Sequence, residues 1–240
     1  MLFLVLTKSC SLKTAQHPTS RIFGLEFCAD DESLLTQAEE DKEKIQTKGR
    51  MWGCRGSIPH CLNMNTTQIL IAGFGGQGVL FAGKFLAYKG LTEEMQVSWL
   101  PSYGPEMRGG TANCSVVLSD SPVGSPIITN PDVLVAMNLP SLQKFVDTVV
   151  PGGKIIIDST LIDAKVERTD VQVFYVPATQ LAKDAGFASL ANMILIGKVI
   201  KECGAVPFEG NQQTLESFIP AKKANLIDAN LKALQIGYDF

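Results

Sequence analysis

From residue 68 onward the chain reads as short apolar runs alternating with amphipathic stretches. Residues 68–72 form an apolar strand signal that breaks into Gly73-Phe-Gly-Gly-Gln-Gly78, and a helical pattern follows from 79 to 89. Lys84 and Lys89 are the only charges of that stretch, so the helix is expected to pack on a sheet and on a neighbour. Strands are predicted at 95–100 and 112–118, followed by a Pro-rich loop over 121–131. The continuous apolar run 133–137 has the pattern of a strand buried on both faces. Pro140 then opens a helix to 150, which Pro151-Gly-Gly153 stops. Further strands are expected at 154–158 and 171–176, and helices at 178–185, 190–203 and 221–235. The segment 190–200 is apolar nearly all round yet too short to span a bilayer, which makes it a core helix ahead of a subunit contact.

Strands alternating with helices over this length predict an α/β fold, a Rossmann-like three-layer sandwich with a mainly parallel sheet. The first 63 residues break the pattern. They hold eight basic and eight acidic residues and begin with a six-residue apolar run, too short for a signal-peptide core or a membrane span. Beyond a mixed charge run at 39–44 they keep neither period. The expectation is a poorly ordered extension over 1–63 and one domain over 64–240, with Met64 as the physiological start and a cytoplasmic protein that is not exported.

Composition sharpens that division. The whole chain of 240 residues has a net charge of -3, and it carries no basic block to draw nucleic acid or an anionic membrane. Four of its six Cys and both His lie before Met64. Their spacing contains no C-x-x-C pair, which argues against a zinc site. The larger part has two Cys and no His, so it offers no imidazole base and no set of four thiolates for an iron-sulfur centre. Electron chemistry would have to come from another chain. Cys114, on a strand, and Cys203, near a helix end, are expected to be small buried hydrophobes.

Two constellations carry candidate chemistry. Gly73, Gly75 and Gly78 spell G-x-G-x-x-G between a strand and a helix, where glycine permits a tight turn and free helix-start amides favour an anion. Gly76 and Gln77 depart from a usual nicotinamide turn, and no acidic residue ends the second strand, because Glu93 and Glu94 precede it. The turn is therefore either an anion site or a close-packed contact. The second constellation runs from Trp99 to Asn113 and links two strands. Ser102, Tyr103, Glu106, Arg108, Gly109, Gly110 and Asn113 crowd a loop in which the Arg108 fork suits a phosphate or a carboxylate. The alternative is that Glu106 and Arg108 only pair and stiffen the loop. Asn130-Pro-Asp132 and Asn138-Leu-Pro140 bracket the buried strand and read as turns and helix caps.

Taken together, Gly73 to Val79, Leu100 to Cys114, and Asn130 through Pro140 resemble the gamma subunit of the 2-oxoacid:ferredoxin oxidoreductases over residues 65–234. The resemblance implies a subunit that is inactive alone, within an enzyme that converts a 2-oxo acid, here 2-oxoglutarate, to an acyl-CoA and carbon dioxide while reducing ferredoxin. It implies thiamine diphosphate, Mg and iron-sulfur clusters in the alpha, beta and ferredoxin-like delta subunits, coenzyme A as co-substrate, and no cofactor held by this chain alone. Under it, the glycine turn and the 103–110 loop would form one surface at the C-terminal edge of the strands. A free-standing NAD(P)-binding oxidoreductase and a non-catalytic scaffold stand as the alternative readings.

Overall fold

A computed structural model describes residues 4–6, 66–103, 111–219 and 225–240. The extension predicted over 1–63 lies, except for one short strand, outside the described residues. In chain order the elements are β1 (Leu4–Leu6), β2 (Thr66–Phe74), α1 (Val79–Thr92), β3 (Gln96–Tyr103), β4 (Thr111–Ser119), β5 (Val133–Ala136), α2 (Leu139–Phe145), β6 (Lys154–Asp158), β7 (Gln172–Val176), α3 (Ala178–Asp184), α4 (Ala191–Cys203), α5 (Asn211–Phe218) and α6 (Asn225–Asp239).

The strands form one sheet in the order β1-β3-β4-β2-β5-β6-β7. Its right half, β2-β5-β6-β7, is parallel throughout. Its left half is antiparallel: β4 pairs with both β2 and β3, and β1 with β3. Five of the seven strands thus run the same way, and the mainly parallel α/β sandwich holds. The β3–β4 pairing follows from loop length, since the seven residues between the two strands suffice for a hairpin but not for a parallel crossover.

Side-chain alternation builds the two cores. Ile69, Ile71, Val133, Val135 and Ile156 face one side of the sheet, where α1, α4, α5 and α6 cover them. Leu70, Leu134, Ala136, Ile155 and Ile157 face the other, with Leu142 of α2, Val149 and Ile162. Asn138 is extended and its side chain accepts from the Ser141 N–H at 2.8 Å, the predicted cap that starts α2 beside Pro140. The helix predicted to reach 150 stops at 145 and tightens into a 3-10 turn over Val146–Thr148. The last helix runs to 239, and residues 221–224, where it is predicted to begin, lie outside the described residues. One charge is placed unexpectedly: Lys89 is fully buried, bonded to the Glu209 carbonyl and paired with Glu93 at 2.8 Å.

Helix α4 is buried from Ala191 to Ile200, the core position expected for it. It meets α6 backbone to backbone. A Cβ on Gly197 would run into the Leu234 carbonyl, and one on Gly237 into the Ile194 carbonyl. Neither neighbour is a flexible side-chain end, so the helices would have to separate. Gly237→Ala is expected to destabilise the fold by about 3 kcal/mol, read as a shift in the urea midpoint, whereas Gly124→Ala, which meets nothing within 4 Å, leaves it in place.

Candidate functional site

Ligands of open α/β sheets bind at the C-terminal ends of the strands where successive connections leave in opposite directions. Here that switch point lies between β2 and β5. The chain leaves β2 through α1 toward β3 and leaves β5 through α2 toward β6, and α1 and α2 lie on opposite faces. The glycine turn follows β2 and Met137-Asn138 follows β5, so both predicted motifs meet at this edge.

The turn is built by two left-handed glycines, Gly76 (φ 99°) and Gly78 (φ 76°). Gln77 faces the crevice. Its Oε1 accepts from the Phe74 N–H at 2.6 Å and its Nε2 donates to the Met137 carbonyl at 3.0 Å, tying the end of β2 to the end of β5. Gly73 makes room for this bridge, since a Cβ there would stand 2.7 Å from Gln77 Oε1 and 3.0 Å from Met137 Cβ. The Gln77 side chain thus lies, half-exposed, across the gap between the two strand ends. Moreover β4 lies between β2 and β3, so an acid at the end of β3 would have no path to a ribose over β2.

On the outer side the turn is open. A cleft of about 270 Å³ is lined by Phe74, Gly75, Gly76, Val79, Phe81 and Ala112 among others. Nothing lies within 4 Å of a Cβ built on Gly76. No side chain caps α1, and its first intrahelical bond is Ala82 N–H to the Gly78 carbonyl, which leaves the first-turn amides toward the cleft. Behind the turn, Asn192 Nδ2 donates to the Gly78 carbonyl at 3.1 Å, while its Oδ1, also buried, has no partner.

Sheet register brings the second motif to the same place. Asn113 stands opposite Ala72 on one side and Ser102 on the other, and Ala112 stands opposite both Gly73 and Tyr103. The two stems of the 104–110 loop therefore rise beside the glycine turn. Glu106, Arg108, Gly109 and Gly110 themselves lie outside the described residues. Asn192 was missed by sequence reasoning because it contacts Gly78 from 114 positions away.

Pattern and chain comparisons agree with this geometry. The pyruvate ferredoxin/flavodoxin oxidoreductase pattern matches residues 68–240. This chain belongs to that family. It is 43% identical over 174 residues to ketoisovalerate oxidoreductase subunit VorA of Methanothermobacter thermautotrophicus, covering 72% of this chain but only 36% of that one. It is 33% identical over 177 residues to 2-oxoglutarate synthase subunit KorC of Methanothermobacter marburgensis, covering 71% of this chain and 94% of that one. The chain thus spans about a third of the ketoisovalerate subunit and nearly all of the 2-oxoglutarate one. Among solved structures, the gamma subunit of keto/oxoacid ferredoxin oxidoreductase from Geobacter sulfurreducens superposes with a TM-score of 0.64 at 29% identity, over 73% of this chain and 95% of that one. The fold is shared at 22% identity and a TM-score of 0.63 by the 2-oxoglutarate:ferredoxin oxidoreductase of Magnetococcus marinus, covering 72% of this chain and 30% of that one.

Burial keeps both described thiols protonated. Burial pushes the Cys114 thiol up from 9.0 to about 12, against weaker lowering by Trp99 and Gly83. Its Sγ lies 3.4 Å from the Val79 carbonyl, under α1. Burial likewise pushes Cys203 up to about 11. Among the described residues, no three His, Cys, Asp or Glu side chains gather as a metal site.

Two outcomes follow. Gln77→Leu removes both bonds of a half-exposed bridge, so it is expected to cost about 0.5–1.5 kcal/mol and to speed amide exchange at Phe74 well beyond that at Ile69. A raised thiol keeps its proton in the folded state while the unfolded state loses it, so this stabilising contribution is complete below pH 9 and falls away as pH rises toward 12. Urea titrations above pH 9 should therefore show wild type losing stability faster than Cys114→Ala.

Proposed function

We propose that this chain is the gamma-type subunit of a thiamine diphosphate-dependent 2-oxoacid:ferredoxin oxidoreductase and is inactive alone. In that enzyme a 2-oxo acid and coenzyme A give an acyl-CoA and carbon dioxide, and two electrons pass to ferredoxin. Thiamine diphosphate, which supplies the carbanion-stabilising chemistry, Mg and the iron-sulfur clusters belong under this reading to alpha, beta and ferredoxin-like delta partners. The protonated thiols of buried Cys114 and of Cys203, which is half-buried rather than buried as expected, suit that division, since a cluster takes thiolates. The observation that carries the reading is the Gln77 bridge within a chain of this family. It lies across the gap where a free-standing nicotinamide enzyme would seat its cofactor and so disfavours that alternative.

The outer cleft, with its uncapped helix amides and uncrowded Gly76, fits a phosphoryl group better than a ring system. Under this reading it faces coenzyme A or a carboxylate of a neighbouring chain, with Arg108 beside it. The Magnetococcus marinus enzyme is described with 2-oxoglutarate, coenzyme A and succinyl-CoA bound. Two substrates are supported by different observations: 2-oxoglutarate by the nearly full-length match to KorC, and ketoisovalerate by the higher identity to VorA. No helix among the described residues is long and apolar enough to cross a membrane, consistent with work in the cytoplasm.

The test is isolation of the tagged chain from its host under anaerobic conditions. It should bring down thiamine-binding and cluster-binding chains, and the assembly should reduce ferredoxin only when coenzyme A and one of the two oxo acids are present. A chain recovered alone that binds NAD(H) or NADP(H) with a micromolar Kd would overturn the proposal.

A further inference from the structure

On the antiparallel side of the sheet β3 would be an edge strand if β1 did not pair with it. Its sequence does little to protect an edge. Gln96–Tyr103 carries no charged residue, although Glu93 and Glu94 precede it, and an uncharged extended edge is a template for another chain. Pro101 is the one blunting residue within it.

The backbone groups that β3 turns outward define a short slot. Its ladder to β4 runs unbroken through Leu100↔Ser115, Pro101↔Cys114 and Ser102↔Asn113. Proline has no N–H, so Pro101 must sit in a non-hydrogen-bonded pair and point its backbone away from β4. Met95, Val97 and Trp99 alternate in step with it and point the same way. The Met95 N–H is already spent on the Gly90 carbonyl at 3.0 Å, and Pro101 has none to offer. Val97 and Trp99 are left as the outward donors between them, and β1 takes both, since Leu6 stands opposite Val97 and Leu4 opposite Trp99. Val5 lies between, opposite Ser98, with its N–H turned away from β3. The length of β1 follows from that of the slot.

An empty slot would suit a second copy of the chain. Two β3 strands laid antiparallel about Ser98 set Val97 of each against Trp99 of the other, which exchanges every free donor and acceptor. The same register sets Met95 against Pro101, so the positions without a free donor face each other. We propose that Leu4–Leu6 is an edge guard, filling the Val97–Trp99 slot and thereby blocking the pairing of two copies through β3. The proposal is independent of the subunit reading above and gives the start of the 1–63 extension a role.

The experiment uses the purified full chain. Leu4→Pro/Leu6→Pro removes the N–H groups that β1 donates to the Trp99 and Val97 carbonyls, whereas Val5→Pro, the control, removes one that faces away. In dilute solution the double variant is expected to exchange its Val97 and Trp99 amides about tenfold faster or more, with Ser98, bonded to β4, unchanged. Raising its concentration should produce a dimer in sedimentation, which an added peptide of residues 1–8 dissociates. Wild type and Val5→Pro should show neither change. Wild-type amide exchange at Ile69 and Ile156 checks the fold, and the single variants Leu4→Pro and Leu6→Pro carry the comparison if the double variant fails that check. Unchanged exchange at Val97 and Trp99, equal opening by Val5→Pro, an opened edge that stays monomeric, or self-association as strong in wild type overturns the guard.

Discussion

The Gln77 side chain holds the end of β2 to the end of β5, and much of the site's geometry depends on that bridge. Its carboxamide has one acceptor and one donor end, and each meets a backbone group that the sheet ladder leaves over at the strand termini. Glycine at 73 is required for the bridge to lie flat, and left-handed glycines at 76 and 78 carry the chain past it into α1. With Gln77 tied to both strand ends, the remaining amides of the turn look outward. The glycine turn that the fingerprint marks thereby presents its free amides on the outer side, beside the cleft lined by Phe74, Gly76 and Ala112.

Most of the fold was legible because its strands are buried on both faces and read as continuous apolar runs: 68–72, 133–137 and 154–158 were placed within a residue or two. What periodicity does not encode is pairing. Nothing in the apolar pattern of 112–118 says that β4 inserts between β2 and β3, although the shortness of the 104–110 connection points to a hairpin. Helix α5 was missed since Leu215 and Phe218 are the only apolar residues of Asn211–Phe218, too few for a period. In the sequence Lys89 is only one of the two charges of α1. Its burial depends on the Glu209 carbonyl, 120 positions away, which no local pattern reveals.

The candidate site was legible in a similar, partial way. Sheet register sets the stems at Ser102, Tyr103 and Asn113 beside the start of the 73–78 turn, because both motifs lie at the same ends of strands of one sheet. The role of Gln77 was not legible. It was visible as a departure from a nicotinamide turn, but its partner Met137 lies 60 residues on. Asn192, whose amide closes the back of the turn, carries no sequence signal at all beyond sitting at the start of an apolar helix.

The contact of α4 with α6 bears on how the chain acquires its shape. Gly197 and Gly237 let the helices touch through their backbones, so Ile194 and Leu234 reach full burial only when both helices are present. The sheet side of the larger core is otherwise assembled from residues 66–200. On a ribosome, then, the apolar face of α4 stays wet until residues 225–239 have emerged, and the domain closes late, on a contact of long sequence separation. Until that moment the nascent chain presents its most apolar helix to the cell, and it is during synthesis, more than in the finished fold, that this protein is most exposed to aggregation.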